Sequence, residues 1–196
     1  DQLVPMGRIN DGYDALNDNV DDSYRRGVEL SASWKVTGWF TASANATFSQ
    51  NRIENYVDAL KDSPTYGKEL GDMTIAYSPD VIANAFLNFH HRGFEAVFHT
   101  QHVGKQYFTN NENDALSLDA YSVTNLNLAY TFRTRSARSV RLGLLINNLF
   151  NAEYESNGYG YSYMDTWSGP APVRIDEAYY FPQAPLNVLA NVTVKF

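Results

Sequence analysis

The sequence predicts an all-β chain, an antiparallel up-and-down transmembrane β-barrel segment. Seven stretches alternate apolar and polar side chains, which is the period of a strand with two unlike faces. The connections between these stretches are alternately short and long, as in a meander with tight turns at one end and extended loops at the other. Tyr (14), Phe (11) and Trp (3) are plentiful, which favours strands over helices. No apolar run approaches the roughly 18 residues that a membrane-spanning helix needs. A membrane barrel is not excluded by that, because each of its strands carries only a weak hydropathy signal.

Taken in order, residues 1–23 carry Asp1, Asp11, Asp14, Asp18, Asp21 and Asp22 among Gly and Asn, and read as a loop. From Tyr24 the alternation begins, with Val28, Leu30, Ala32, Trp34 and Val36 set against Gly27, Glu29, Ser31, Ser33 and Lys35. Thr37 and Gly38 make a tight turn into a second strand, in which Phe40, Ala42, Ala44, Ala46 and Phe48 oppose Thr41, Ser43, Asn45, Thr47 and Ser49. A long acidic loop over 53–73 leads to a third strand, where Val81, Ala83, Ala85, Leu87 and Phe89 face one way and Ile82, Asn84, Phe86, Asn88 and His90 the other.

His91-Arg92-Gly93 is a short turn into a fourth strand, Phe94 to about Tyr107, whose alternation is the weakest of the set. The connection over 106–119 is again acidic. A fifth strand follows, with Leu126, Leu128, Tyr130 and Phe132 opposite Asn125, Asn127, Ala129 and Thr131. A basic turn, Arg133 to Ser139, enters a sixth strand through Leu142, Leu144 and Ile146, and a Tyr- and Gly-rich loop over 157–181 leads to the seventh. That last stretch runs from Asn187 to Phe196. Val188, Ala190, Val192, Val194 and Phe196 share its oily face, while Asn187, Leu189, Asn191, Thr193 and Lys195 share the other.

Charge follows this layout. The segments 1–23, 53–73, 106–119 and 157–181 hold 17 acidic and 4 basic residues, whereas the strands and short turns hold 5 acidic and 11 basic ones. One rim is therefore acidic and the other basic. No charged residue lies on the oily face of a clearly alternating strand, as expected of a face in lipid, where a charge costs roughly 2–4 kcal/mol near the midplane. Trp34, Trp39, Phe40, Phe89, Phe94, Phe132 and Phe196 gather near the short-turn ends, in the manner of an interfacial aromatic girdle. Two other readings of the alternation stay open at this point. A small closed eight-stranded structural or adhesive barrel would recruit residues 1–9 as its eighth strand, and a soluble carbohydrate-binding β-sandwich would bury the oily rows under a second layer.

There is no Cys, so disulfides and thiolate chemistry are excluded. His90 and His91 point to opposite faces of a strand, and so do His99 and His102, so neither pair forms a two-ligand metal face. The acidic loops read as solvated rather than metal-binding. Arg133, Arg135 and Arg138 lie in one turn of a protein with net charge −7, which argues for a turn and against nucleic acid. No catalytic constellation, metal site or cofactor is expected. For ligand contact the strongest candidates are Tyr159, Tyr161, Tyr163, Trp167, Tyr179 and Tyr180, because amphipathic aromatics give large contact area at low entropic cost. Inward-facing Asn45, Asn84, Asn125, Asn127 and Asn191 are expected to hydrogen-bond a plug or water. No signal peptide is recognisable at Asp1.

The chain resembles the C-terminal part of TonB-dependent outer-membrane receptors, particularly those of Bacteroides-like bacteria, from about Tyr24 to Phe196. The resemblance is carried by Tyr24-Arg25-Arg26-Gly27-Val28-Glu29-Leu30, Val103-Gly104-Lys105-Gln106-Tyr107, Ile146-Asn147-Asn148-Leu149-Phe150-Asn151, Tyr154-Glu155-Ser156-Asn157-Gly158-Tyr159 and Tyr180-Phe181-Pro182-Gln183-Ala184-Pro185, in that order. It implies a 22-stranded barrel plugged by an N-terminal domain, with this chain supplying the last seven strands over 24–196 and an extracellular loop over 1–23. It further implies outer loops over 53–73, 106–119 and 157–181, short periplasmic turns, and uptake of a scarce nutrient complex such as a siderophore, haem, cobalamin or a glycan. The implied partners are outer-membrane lipid, the remaining strands and plug, and the TonB complex. The barrel-assembly machinery would read the terminal signal Val188, Ala190, Val192, Val194 and Phe196.

Overall fold

The computed structural model describes residues 2–9, 15–20 and 22–196. In chain order its strands are β1 (Gln2–Ile9), β2 (Ala15–Val20), β3 (Ser23–Lys35), β4 (Phe40–Ile53), β5 (Met73–Thr74), β6 (Val81–His91), β7 (Phe94–Val103), β8 (Gln106–Tyr107), β9 (Ser117–Leu118), β10 (Tyr121–Phe132), β11 (Ser139–Asn147), β12 (Glu155–Asp165), β13 (Val173–Pro182) and β14 (Asn187–Lys195). The seven expected strands are β3, β4, β6, β7, β10, β11 and β14. They pair as neighbours in one antiparallel meander, and the short β5 adds to the end of β4.

The register carries the alternation of single strands across the whole sheet. Ala32 pairs with Ala44 and Ala44 with Ala85; further round, Leu128 pairs with Leu144 and Leu144 with Ala190. Since paired residues in adjacent strands point the same way, the oily rows join into one continuous band. The weak alternation of the fourth strand is resolved by its partners. Phe94, Ala96 and Phe98 pair with outward-facing His91, Phe89 and Leu87, so the apolar side of β7 is settled, and Thr100 and His102 continue that side as polar groups opposite Ala85 and Ala83. Those two outward polar groups are satisfied laterally, Thr100 by the Thr124 hydroxyl at 2.9 Å and His102 by the Ser122 hydroxyl at 2.9 Å.

Nothing among the described residues covers this band. Leu30 is 59% exposed and Val192 66%, values that no sandwich core tolerates. The soluble-sandwich reading therefore fails. The closed eight-stranded reading fails as well, because β1 pairs with β2 rather than with an edge of the sheet, and β3 and β14 each have only one long neighbour. At the short-turn end Phe40 stacks on Phe89 with ring centroids 4.5 Å apart and Trp39 lies 6.1 Å from both, forming an aromatic collar beside the basic turns. The tightest of those turns places Arg92 at φ 47° and Gly93 at φ 83°, the left-handed pair that a two-residue hairpin requires. A Cβ on Gly93 would sit 2.3 Å from the Thr131 carbonyl oxygen, so glycine is needed there twice over.

The opposite face is polar and laterally bonded. Arg141 donates to both carboxylate oxygens of Glu95, at 2.6 and 2.8 Å, reaching across β10 above buried Ala129. Asn84 donates to Asn45 at 3.1 Å, and its carbonyl meets the His99 ring, which stacks flat on Phe86. Asn45, Asn84 and Asn125 thus bond within the sheet itself, Asn125 accepting from the Asn148 backbone at 2.9 Å.

The connections expected as loops are more ordered than composition suggests. Residues 1–23 include the hairpin of β1 and β2, and 157–181 fold into a second ribbon of β12 and β13. The buried apolar core also lies at this end. Ile53, Tyr56 and Ile75 form one cluster with Val20, Leu70 and Met73; Phe108, Leu116 and Leu118 form another with Ala178.

The two faces respond oppositely to charge. In urea unfolding of the protein in lipid vesicles, Leu30→Arg is expected to destabilise by about 2–4 kcal/mol. Ser31→Arg, one residue along and on the other face, is expected to stay within about 0.5 kcal/mol.

Candidate functional site: a tyrosine ribbon at the long-connection end

The ribbon of β12 and β13 brings most of the candidate aromatics together because its two strands alternate in register. Tyr159 pairs with Tyr179, Tyr161 with Glu177, and Tyr163 with Ile175. All six side chains therefore share one face, with Phe181 and Asp165 at its two ends. Gly158, Gly160, Ser162, Met164, Arg174, Asp176, Ala178 and Tyr180 share the other.

The second face is the seat. Gly158 and Gly160 lie so close to Phe108 and Leu116 that a Cβ at either would approach the Phe108 ring within 2.9 Å. The glycines that make the stretch look loop-like are thus what lets it lie down on the cluster beneath. Tyr180 joins that packing, its ring 5.7 Å from Phe108, so it is a mooring residue and not part of the exposed face. Arg174 donates to Asp176 at 2.9 Å and to Ser162 at 3.0 Å, and the Ser162 hydroxyl donates to Asp176 at 2.6 Å. A polar clasp therefore closes the same side. Beside it, Asp58 of the 53–73 connection accepts from Ser63, Thr65 and the Leu60 backbone.

The first face is open, and its centre is Glu177. The Tyr161 hydroxyl donates to the carboxylate at 2.5 Å, that of Tyr179 at 3.0 Å and that of Tyr163 at 3.3 Å. Tyr161, then Tyr179 and Tyr163, hold the carboxyl below the usual glutamate range, and the same Glu177 bond pushes the Tyr161 phenol well above the usual tyrosine range. Tyr159 and Tyr179 stack at 4.9 Å with planes 15° apart, and Phe181 leans on Tyr159 at 6.2 Å. At the tip Asp165 accepts from the backbone N–H groups of Trp167 and Ser168 at 3.0 and 3.1 Å, leaving the Trp167 ring 76% exposed.

Of the six candidates, then, Tyr159, Tyr161, Tyr163 and Tyr179 share the open face, Trp167 sits at the tip and Tyr180 lies on the seat. Sequence reasoning missed Glu177 and Phe181. The signal was present: Tyr159, Tyr161 and Tyr163 alternate, Ile175, Glu177, Tyr179 and Phe181 alternate, and Ser168-Gly169-Pro170 between them marks a hairpin turn. The expected assembly residues Val188, Ala190, Val192 and Val194 lie in β14 on the apolar face, and Phe196 is almost wholly exposed beyond it. Among the described residues no group of three or more His, Asp or Glu is placed to hold a metal ion.

Comparison with known proteins settles the kinship of this sheet. The family model described as TonB dependent receptor-like, beta-barrel, matches residues 2–149. The chain belongs to that family. Solved structures of uptake receptors and a transporter share its fold at low identity. The ferric yersiniabactin uptake receptor FyuA from Yersinia pestis superposes with a TM-score of 0.59 at 19% identity, over 88% of this chain and 23% of its own. BauA, the ferric preacinetobactin receptor from Acinetobacter baumannii, gives 0.60 at 14% identity, over 100% of this chain and 25% of its own. The copper transporter OprC gives 0.57 at 19%, over 91% and 24%. No curated protein matches the chain. It spans about a quarter of the length of these receptors. As a TonB-dependent receptor barrel it is an outer-membrane protein, and its family is one of transport receptors rather than enzymes. The ribbon lies beyond the residues that the family model matches, so its chemistry has to be read from its own side chains.

The carboxylate bond fixes the ribbon's pH response. Glu177 binds its proton less readily when folded, so its contribution to ribbon stability is complete above the ordinary glutamate pKa and is lost as pH falls through the depressed value. Tyr161 has the opposite sign: its contribution is complete below the ordinary phenol pKa and is lost only as pH rises through the raised one. Tyrosine-ring NMR of the protein is expected to show Tyr161 ionising above the ordinary phenol range, and Glu177→Gln to bring it back toward that range.

Proposed function

We propose that the chain is the C-terminal portion of a TonB-dependent receptor that takes up a scarce nutrient complex across the outer membrane. The observation that carries this is the sheet itself. A continuous apolar band on one face, a laterally bonded polar face on the other, and a single long neighbour for each of β3 and β14 describe an arc of a wide barrel. Unpaired backbone in lipid costs several kcal/mol per group, so both edges call for further strands. The rest of the barrel and the plug supply those strands and fill the bore, and the TonB complex drives the plug.

In this reading the acidic, folded end with its two ribbons is extracellular and the basic, aromatic-collared end is periplasmic. Residues 1–23, 53–73, 106–119 and 157–181 are then the outer connections. The β12–β13 ribbon is a ligand contact held in place by its seat on Phe108 and Leu116, and the outward row Val188, Ala190, Val192, Val194 and Phe196 is the signal for barrel assembly. Siderophores, haem, cobalamin and glycans are the cargo classes that the resemblance brings in.

Ribbon and barrel can be separated experimentally. In a full-length receptor with 158–181 replaced by a short Gly-Ser linker, the barrel is expected to remain heat-modifiable on gels and resistant to protease in the outer membrane. TonB-dependent uptake of its nutrient complex is expected to fall about tenfold or more, as for loss of a hot-spot cluster. Unchanged uptake would remove the ribbon from the ligand site.

A further inference from the structure

The open face of the ribbon is chemically one-sided. A phenol has a single proton, and those of Tyr161, Tyr163 and Tyr179 all go to Glu177. What these three hydroxyls present outward is lone pairs. Glu177 itself only accepts, and so does Asp165 at the tip. The one base within the ribbon strands, Arg174, lies on the opposite face and is engaged by Asp176 and Ser162. The centre of the open face therefore offers several acceptors, at least one full negative charge and, among the described side chains, no cation, flanked by the aromatic rings of Tyr159, Tyr179 and Phe181.

Such a surface selects by charge and by hydrogen-bond sense. An anion meets the Glu177 carboxylate, whose three phenol donors are already committed to it. A protonated amine or guanidinium brings only donors, and its positive charge is attracted both to Glu177 and to the faces of the rings. Donation to a carboxylate also enriches the phenol rings in electron density, which strengthens that attraction. Resting on the assignment of the ribbon as a ligand contact, we propose that this face binds a cationic group carried on an apolar body, a protonated amine or guanidinium in the cargo or in a peptide portion of it. The site thus discriminates against cargo that would present a carboxylate or other anion at this point.

Three probes with one shared phenethyl body test this on the full-length receptor in detergent, by calorimetric titration: phenethylammonium, phenethyl alcohol and 3-phenylpropionate. The ammonium is expected to bind about tenfold more tightly than the alcohol, with the propionate weakest. Glu177→Gln is expected to abolish the preference, bringing the ammonium to within about twofold of the alcohol. The wild-type comparison alone is decisive even if the variant fails to fold. Equal binding of ammonium and alcohol, tighter binding of propionate, or no saturable ammonium binding overturns the proposal, as does an ammonium preference that survives in a folded Glu177→Gln receptor. If ammonium and alcohol bind equally and both are lost in Tyr159→Ala, the charge class is wrong and the ribbon remains a ligand contact. If all three bind as before after replacement of 158–181, the ribbon assignment fails and the charge proposal fails with it.

Discussion

Everything in this chain depends on hydrocarbon refusing two things, an unpaired backbone group and a charge. Strands in lateral register meet the first demand, since β4, β6, β7, β10 and β11 each have a hydrogen-bonded neighbour on both sides. The strict division of side chains meets the second. Glu95 and Arg141 can be neighbours in the middle of the sheet only because both are odd-numbered in strands whose outward residues are even. A slip of one residue between β7 and β10, or between β10 and β11, would put Glu95 and Arg141 on opposite faces and send one of the two charges into lipid.

This explains why the buried core is where it is. In a soluble domain the oily rows would make the core. Here they are spoken for by lipid, and the sheet needs no second layer. The segments beyond the membrane have water on their outer side and must bury their own apolar groups, so Ile53 and Ile75, and separately Phe108, Leu116 and Leu118, are the most enclosed apolar residues among those described. The tyrosine ribbon inherits its position from the second cluster. Its glycines admit Phe108, its Arg174 clasp closes the same side, and the face left over is the one on which three phenols surround Glu177. Any chemistry of that face is a consequence of how tightly the other is held.

Much of the barrel was legible in the sequence because period-two alternation is a direct readout of a two-faced strand. Val28 through Trp34 and Phe40 through Phe48 needed no partner to be assigned. The fourth strand was harder for a physical reason: Thr100 and His102 fall on its outward side and interrupt the alternation, and only pairing with β6 and β10 restores it. The ribbon was masked differently. Gly158, Gly160, Ser168 and Gly169 carry the composition of a loop, and the two glycines in β12 serve close packing rather than turning. Tyr180 was grouped with its neighbours by type, whereas its even position in β13 sends it to the seat. Glu177 was invisible because its role arises from three hydroxyls contributed by two strands, a convergence that no single stretch of sequence displays.

The central claim, that outward rows meet lipid and inward rows meet the aqueous or protein-filled bore, is tested most directly at Leu144 and Leu145. These are the same residue type, adjacent in β11, and assigned to opposite faces by their pairing with Ala190 and Leu189. This chain has no cysteine, and each can be replaced singly by Cys and spin-labelled in the protein reconstituted in bilayers. The label at 144 is expected to collide with lipid-soluble oxygen and to be shielded from a water-soluble nickel complex, with the label at 145 shielded from oxygen. Equal accessibility at the two positions, or the reverse order, would contradict the account.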